Sequence, residues 1–144
     1  MWRRLVNIKL MLDKILFVDD DHIALVLNQK LVEKTNFAKS IVTASNGELA
    51  LEYFSKLLQS KADPSQYPQF VFLDLNMPIM DGWEFLTRFA EPTYDVFRNT
   101  KIVVLSSSIN PQDLERSKKY DMVIDFISKP ITAELLEKLG KLNA

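Results

Sequence analysis

Apolar residues fall in short runs along this chain: Ile15-Leu16-Phe17-Val18, a weaker Ser40-Ile41-Val42-Thr43-Ala44, Phe70-Val71-Phe72-Leu73, Ile102-Val103-Val104-Leu105 and Val123-Ile124-Asp125-Phe126-Ile127. Continuous apolar runs of strand length, rather than strict polar alternation, predict strands covered on both faces. The segments between them have helical spacing. Ile23 to Lys34 carries Leu27, Leu31 and Val32, and Glu48 to Leu58 places Leu51, Phe54 and Leu58 on one face. Gly82 to Phe89, Pro111 to Lys119 and Thr132 to Leu142 complete five predicted helices, with Pro111 suited to a first turn and Thr132 to an N-cap. Strand and helix alternate, which predicts an α/β fold with helices on both faces of a parallel sheet. Two connections are long, 59–69 and 91–100, and read as surface loops.

At 144 residues and 47% hydrophobic, the chain suits one domain with a substantial core. Its 18 basic and 19 acidic residues balance to a formal charge of -1, which gives no electrostatic reason to expect nucleic acid as a partner. The absence of cysteine excludes disulfides and thiolate metal sites and suits a reducing compartment, so a cytoplasmic location is expected. No apolar run approaches the roughly 20 residues that span a bilayer, so no membrane partner is expected. The start, Met1 to Leu12, has some features of a signal peptide, but Asn7, Lys9 and Asp13 interrupt it and no small-residue cleavage site follows. Residues 1–13 are therefore expected to be an N-terminal extension, as a short amphipathic helix or added strand, and 14–142 the domain. No second, effector domain is expected.

The chemistry is concentrated where strands end. Asp19 and Asp20 follow the first strand, Asp74 the third, Ser106 the fourth, and Ser128 and Lys129 the fifth. In a parallel sheet with right-handed crossovers all carboxyl ends share one edge, where ligands bind near the point of reversal in strand order. Three carboxylates brought together there repel one another, and a divalent cation relieves that repulsion. Every donor is oxygen, which favours hard Mg2+ over zinc, with Mn2+ able to substitute. Lys129 adds a positive charge and Ser106 a hydroxyl donor, so the group suits a small tetrahedral anion. A carboxylate in such company can itself attack phosphorus to give an acyl phosphate, and Asp74 is the best candidate.

The segments Ile15-Leu16-Phe17-Val18-Asp19-Asp20-Asp21, Phe72-Leu73-Asp74-Leu75-Asn76-Met77-Pro78-Ile79-Met80-Asp81-Gly82-Trp83, Val103-Val104-Leu105-Ser106-Ser107 and Phe126-Ile127-Ser128-Lys129-Pro130 resemble response-regulator receiver domains of the single-domain, chemotaxis-regulator type. The resemblance spans about Lys14 to Leu142, and four motifs in the right order give it its specificity. It implies a flavodoxin-like, doubly wound, five-stranded sheet of order 2-1-3-4-5. It also implies that Asp20 binds Mg2+ directly, Asp19 through water, Asp74 by one oxygen and Asn76 by its main-chain carbonyl. Ser106 and Lys129 would contact the phosphoryl group on Asp74, the Lys129–Pro130 bond would be cis, and Gly82 would be the turn glycine opening the third helix. Phe126 stands three residues before the lysine, where the family often has a switching aromatic. Lacking a hydroxyl, it could take an inward or outward preference only from packing.

Other residues have simpler readings. Asp21 suits an N-cap, Asp81 a turn and His22 the surface, while Trp83, Phe85 and Phe89 suit helix packing. Ser108 and Asn76 correspond to positions that influence phosphoryl lifetime in receivers. By the resemblance, the function is that of a stand-alone response regulator in a two-component phosphorelay, a signalling switch rather than an enzyme. The donor would be a sensor histidine kinase or a histidine phosphotransfer protein, and the listener an unidentified protein. The face made by the fourth helix, fifth strand and fifth helix would carry the output and is also where homodimers would form. The competing reading is a degenerate receiver, a binding module that signals without phosphorylation; retention of every acid, the serine and the lysine argues against it. A haloacid-dehalogenase-type phosphatase would need an acid at Asn76, and a flavodoxin-like electron carrier a phosphate loop where Asp19-Asp20-Asp21 stands.

Overall fold

A computed structural model describes residues 11–77 and 79–142. Five strands alternate with five helices: β1 Leu12–Val18, α1 His22–Thr35, β2 Ala38–Ala44, α2 Gly47–Gln59, β3 Phe70–Asp74, α3 Gly82–Phe89, β4 Lys101–Ser106, α4 Pro111–Ser117, β5 Val123–Ser128 and α5 Ala133–Leu142. All strand pairs are parallel, in the order β2-β1-β3-β4-β5. Order and class agree with the sequence. β1 starts three residues before the apolar run that announced it, because Leu12 pairs with Ala38 and is buried against Phe37 and α1, although Asp13 and Lys14 break the apolar pattern. Leu12 and Asp13 thus belong to the sheet rather than to an extension. The expectation for the preceding segment, a helix or added strand, lies over residues 1–10 outside the described residues.

Because successive side chains of a strand point to opposite faces, the sheet divides the core in two. Leu16, Val18, Val71, Leu73, Ile102 and Val104 face α2 and α3, where they meet Ala50, Leu51, Phe54, Phe85, Leu86 and Phe89. Ile15, Phe17, Phe70, Phe72, Val103 and Leu105 face α1 and α5, where they meet Leu25, Val32, Leu136 and Leu139. β3 is buried at all five positions, as a central strand covered on both sides must be.

The connection 91–100 is more than a surface loop. Over Pro92–Phe97 it winds into two short helical turns that meet at a kink at Tyr94, and it buries Tyr94 and Phe97. Phe97 lies 4.8 Å from the Phe54 ring and 4.7 Å from that of Tyr67, while the Tyr94 hydroxyl meets Ser55 Oγ at 3.2 Å. Among the described residues, no helix is long and apolar enough to cross a membrane.

Candidate functional site

The carboxyl ends of β1, β3, β4 and β5 meet along one edge. Asp19 follows β1 and is buried; its Oδ1 accepts from the Asp21 backbone N–H at 2.9 Å and its Oδ2 from Lys129 Nζ at 3.0 Å. Asp74 ends β3 and is 4% exposed. Its Oδ1 accepts from the Asn76 N–H at 3.2 Å, and its Oδ2 lies 3.3 Å from Lys129 Nζ. Asp20 is exposed beside them, and one carboxylate oxygen from each of Asp19, Asp20 and Asp74 falls within a 4.8 Å spread. Three strand ends widely separated in sequence thus deliver three acids and one ammonium to the same point.

The electrostatics follow from that crowding. Burial, and then the charge of Asp19, push the Asp74 carboxyl above its ordinary value despite Lys129 and the Asn76 N–H. Burial alone would lower Lys129, but its contacts with Asp19 and Asp74 outweigh that and hold the ammonium more firmly protonated than usual. Three carboxylates against one ammonium leave an excess of negative charge in a partly buried, all-oxygen donor set. That set fits a hard divalent cation such as Mg2+.

Ser106 ends β4 and is buried, but its hydroxyl points within its own loop: it donates to the Ser108 carbonyl at 2.6 Å and accepts from the Ser108 N–H at 3.3 Å. Its main chain does reach the site, since the Ser106 carbonyl accepts the Lys129 N–H at 2.8 Å. Phe126 is 8% exposed, paired in register with Val104 and packed in the core under α2 and α3. The Lys129–Pro130 bond is cis. Asp21 caps α1, accepting from the Ile23 and Ala24 N–H groups, and His22 is exposed in the first turn. Asp81 is more than a turn residue, since its Oδ1 caps α3 by accepting the Glu84 N–H at 2.9 Å. Phe85 and Phe89 are buried, while Trp83 is half-buried under the Arg116 guanidinium at 4.3 Å.

The segment joining β3 to α3 is held in two places. At one end the Gly82 N–H donates to the Leu75 carbonyl at 3.0 Å. A Cβ on Gly82 would lie 2.7 Å from the Asp74 carbonyl oxygen. Gly82 does not have positive φ, so it is needed for close approach and not for a left-handed turn. The second tie comes from α2, whose Gly47 N–H donates to the Met80 carbonyl at 3.0 Å. Sequence reasoning overlooks Gly47; its signal is the pair Asn46-Gly47, where an N-cap is followed by a residue without Cβ. A cavity of about 110 Å3 between Leu86, Phe89, Ile102 and Met122 lies at the opposite edge, away from the acids.

Comparison with known proteins agrees with this geometry. Residues 15–140 match the response regulator receiver domain model. A two component response regulator from Cytophaga hutchinsonii superposes with a TM-score of 0.83 at 28% identity, covering 94% of this chain and 100% of that one. The phosphorylated cyanobacterial phytochrome response regulator RcpA gives 0.69 at 28% identity, with 91% of each chain covered. Among sequences, hybrid signal transduction histidine kinase L of Dictyostelium discoideum is 29% identical over 136 residues, which are 91% of this chain but 7% of that protein. The probable methanogenesis regulatory protein FilR2 of Methanothrix harundinacea is 29% identical over 124 residues, 86% of this chain and 76% of its own length. With its doubly wound sheet, its acid-lined edge and a family match over nearly its whole length, the chain belongs to the response regulator receiver domain family of two-component systems.

Proposed function

We propose that this receiver is a phosphoacceptor switch in which Asp74 takes a phosphoryl group from a phosphohistidine of a sensor histidine kinase or phosphotransfer protein. The observation that carries this reading is Asp74 itself: a buried strand-end carboxylate, touching Lys129 at 3.3 Å and clustered with Asp19 and Asp20. A carboxylate oxygen of Asp74 attacks phosphorus, the P–N bond breaks, and the imidazole leaves with its electron pair and gains a proton from solvent. Positioning and charge neutralisation do most of the work in such a transfer, so no separate general base is required.

Mg2+, or Mn2+ in its place, would be held by Asp20, by Asp19 through water, by Asp74 and by the Asn76 main-chain carbonyl, and would neutralise the charge of the acids and of the phosphoryl oxygens. Lys129 lies against Asp74 before transfer and pairs with the phosphoryl group after it. Ser106 needs only to leave the Ser108 carbonyl and rotate its hydroxyl toward the new dianion. Phe126, packed inward behind it, then repacks and alters the face formed by α4, β5 and α5. That face passes the signal to a protein target and is a route to homodimers. The proposal includes a stand-alone mode of action, and the balanced composition without cysteine suits a cytoplasmic setting. The chain acts as a switch, catalysing no more than its own phosphorylation and slow dephosphorylation.

The test is incubation with Mg2+ and acetyl phosphate, or with beryllofluoride, comparing wild type with Asp74→Asn. Wild type should gain one acid-labile phosphate and the variant none. Absence of both phosphate and any response to beryllofluoride in wild type removes the phosphoacceptor reading.

A further inference from the structure

Gly47 lies far from the acids in sequence, on a helix that contributes no acid to the site, yet α2 meets the β3–α3 segment through it. As the first residue after the N-cap Asn46, Gly47 has a backbone N–H with no partner inside its own helix. It gives that hydrogen to the Met80 carbonyl at 3.0 Å. The contact leaves no room for a side chain: a Cβ on Gly47 would lie 2.8 Å from Met80 O, 2.9 Å from Met80 Cγ and 3.2 Å from Asp81 O. Since Gly47 does not have positive φ, close approach is what its lack of a side chain serves.

Next to the Gly47 tie at Met80, the backbone adopts a conformation that its residue does not favour. Ile79 has φ of 72°, a left-handed conformation that is a genuine outlier for a β-branched residue. Its side chain is 74% exposed, so burial does not hold it there. This strained residue stands next to the Met80 carbonyl that Gly47 holds. The same segment begins with Asn76, whose N–H holds Asp74 Oδ1 at 3.2 Å.

We infer that Gly47 is a positioning residue for the phosphorylation site: by seating the Met80 carbonyl on the first turn of α2, it fixes the segment that presents the Asn76 main chain to Asp74 and to the bound cation. This rests on the phosphoacceptor reading only where it concerns the cation; the effect on Asn76 stands without it. Added bulk at Gly47 moves Met80 outward and transmits the displacement along a strained segment to Asn76. Gly47 touches neither the phosphoryl donor nor the acids.

The experiment uses the full chain and two readouts. In metal-free protein, Gly47→Ala should speed amide hydrogen exchange at Asn76 by about tenfold or more, with the helical circular dichroism unchanged. In calorimetric titration with Mg2+ alone, the same variant should bind about tenfold more weakly than wild type. Leu58→Ala, at the far end of α2, serves as a control: it should lower the melting temperature and leave both readouts as in wild type. If Gly47→Ala does not fold, Ile79→Gly carries the test, because a segment shaped by its ends keeps wild-type Asn76 exchange when the strained residue is relaxed. Faster Asn76 exchange in Ile79→Gly, or unchanged exchange in a folded Gly47→Ala, overturns the inference. Absence of phosphate uptake by wild type would remove the phosphoacceptor reading and leave the exchange measurement to decide the role of Gly47.

Discussion

The aromatic core under α2 and α3 and the acid-lined edge of the same sheet are built on opposite terms. In the core, Phe54 lies 4.5 Å from Phe89 and 4.8 Å from Phe97, and Phe85 stacks on Phe89 at 5.2 Å. Each fully buried phenylalanine of this kind contributes about 1.5–3 kcal/mol through removal of apolar surface from water. At the edge, Asp19 and Asp74 are almost as buried, but burial works against the charge of Asp74 and Lys129 offsets it only in part. One region stabilises the fold, and the other uses part of that stability to hold three carboxylates and an ammonium together. Substitutions should therefore separate the two functions cleanly.

The largest expected effect is at Asp74. Asp74→Asn should abolish acid-labile phosphate incorporation from acetyl phosphate, scored against a wild-type control, while leaving the fold intact. In metal-free buffer the variant should also melt higher than wild type at neutral pH, because it removes a carboxylate held above its ordinary pKa. An acid with a raised folded pKa binds its proton more tightly when folded, so stability falls as pH rises from the ordinary carboxyl value of 3.8 through the folded value. Denaturation with chelator present, from acid to neutral pH, should show the stability of wild type dropping relative to Asp74→Asn across that window. A constant difference would mean that the edge is not electrostatically loaded.

The mirror-image change is Phe54→Ala. Removal of a fully buried ring that touches Phe85, Phe89 and Phe97 should cost about 3–5 kcal/mol. In conditions where the variant stays folded, its rate of phosphate uptake should remain within a few-fold of wild type. Urea denaturation and acetyl phosphate labelling of the same sample check both halves. A loss of labelling in fully folded Phe54→Ala would show that the core and the edge are coupled.

The two regions differ also in how far sequence discloses them. The meeting of Asp19, Asp20, Asp74 and Lys129 is legible because a parallel sheet forces all carboxyl strand ends to one edge; knowing where each strand stops is enough. The core strands are legible from their apolar runs. Less legible is the segment 92–97, because its two aromatics are three residues apart amid mostly polar neighbours and Pro92 suggests an open loop. The direction of the Ser106 hydroxyl is invisible in sequence, since a staggered side chain can face either its own loop or Asp74, and the Ser108 carbonyl decides. Gly47 is hidden for another reason: its contribution is a missing side chain, recognisable only once Met80 is seen against it.

Lys129 links the two kinds of energetics at an intermediate scale. Its ammonium is held above the ordinary lysine value by Asp19 and Asp74 against the opposing effect of burial. A base with a raised folded pKa adds stability that is fully present below the ordinary lysine value of 10.5 and is lost as pH rises through the folded value. Lys129→Met should therefore destabilise metal-free protein at neutral pH by leaving two buried carboxylates facing each other. Addition of Mg2+ should recover more stability in this variant than in wild type. Equal recovery in both would show that the lysine and the cation do not relieve the same repulsion.

The smallest expected effect distinguishes acids that stand side by side in sequence. Asp19, Asp20 and Asp21 are consecutive, yet Asp21 turns its carboxylate to α1, accepting from the Ile23 N–H at 3.0 Å and the Ala24 N–H at 3.2 Å. Its own backbone N–H supports Asp19 Oδ1, a contact that survives any side-chain change except proline. Asp21→Ala should thus cost about 1 kcal/mol through loss of the helix cap. Mg2+ affinity and phosphate uptake should stay within about twofold of wild type, since a 0.4 kcal/mol change is the most such indirect support would lose on the tenfold-per-1.4 kcal/mol scale. Asp20→Ala, in contrast, should weaken Mg2+ binding strongly and leave the melting temperature of metal-free protein the same or higher. A large loss of Mg2+ affinity in Asp21→Ala would move this residue from the helix to the acid edge, and the boundary between the two regions would have to be redrawn one residue further along the chain.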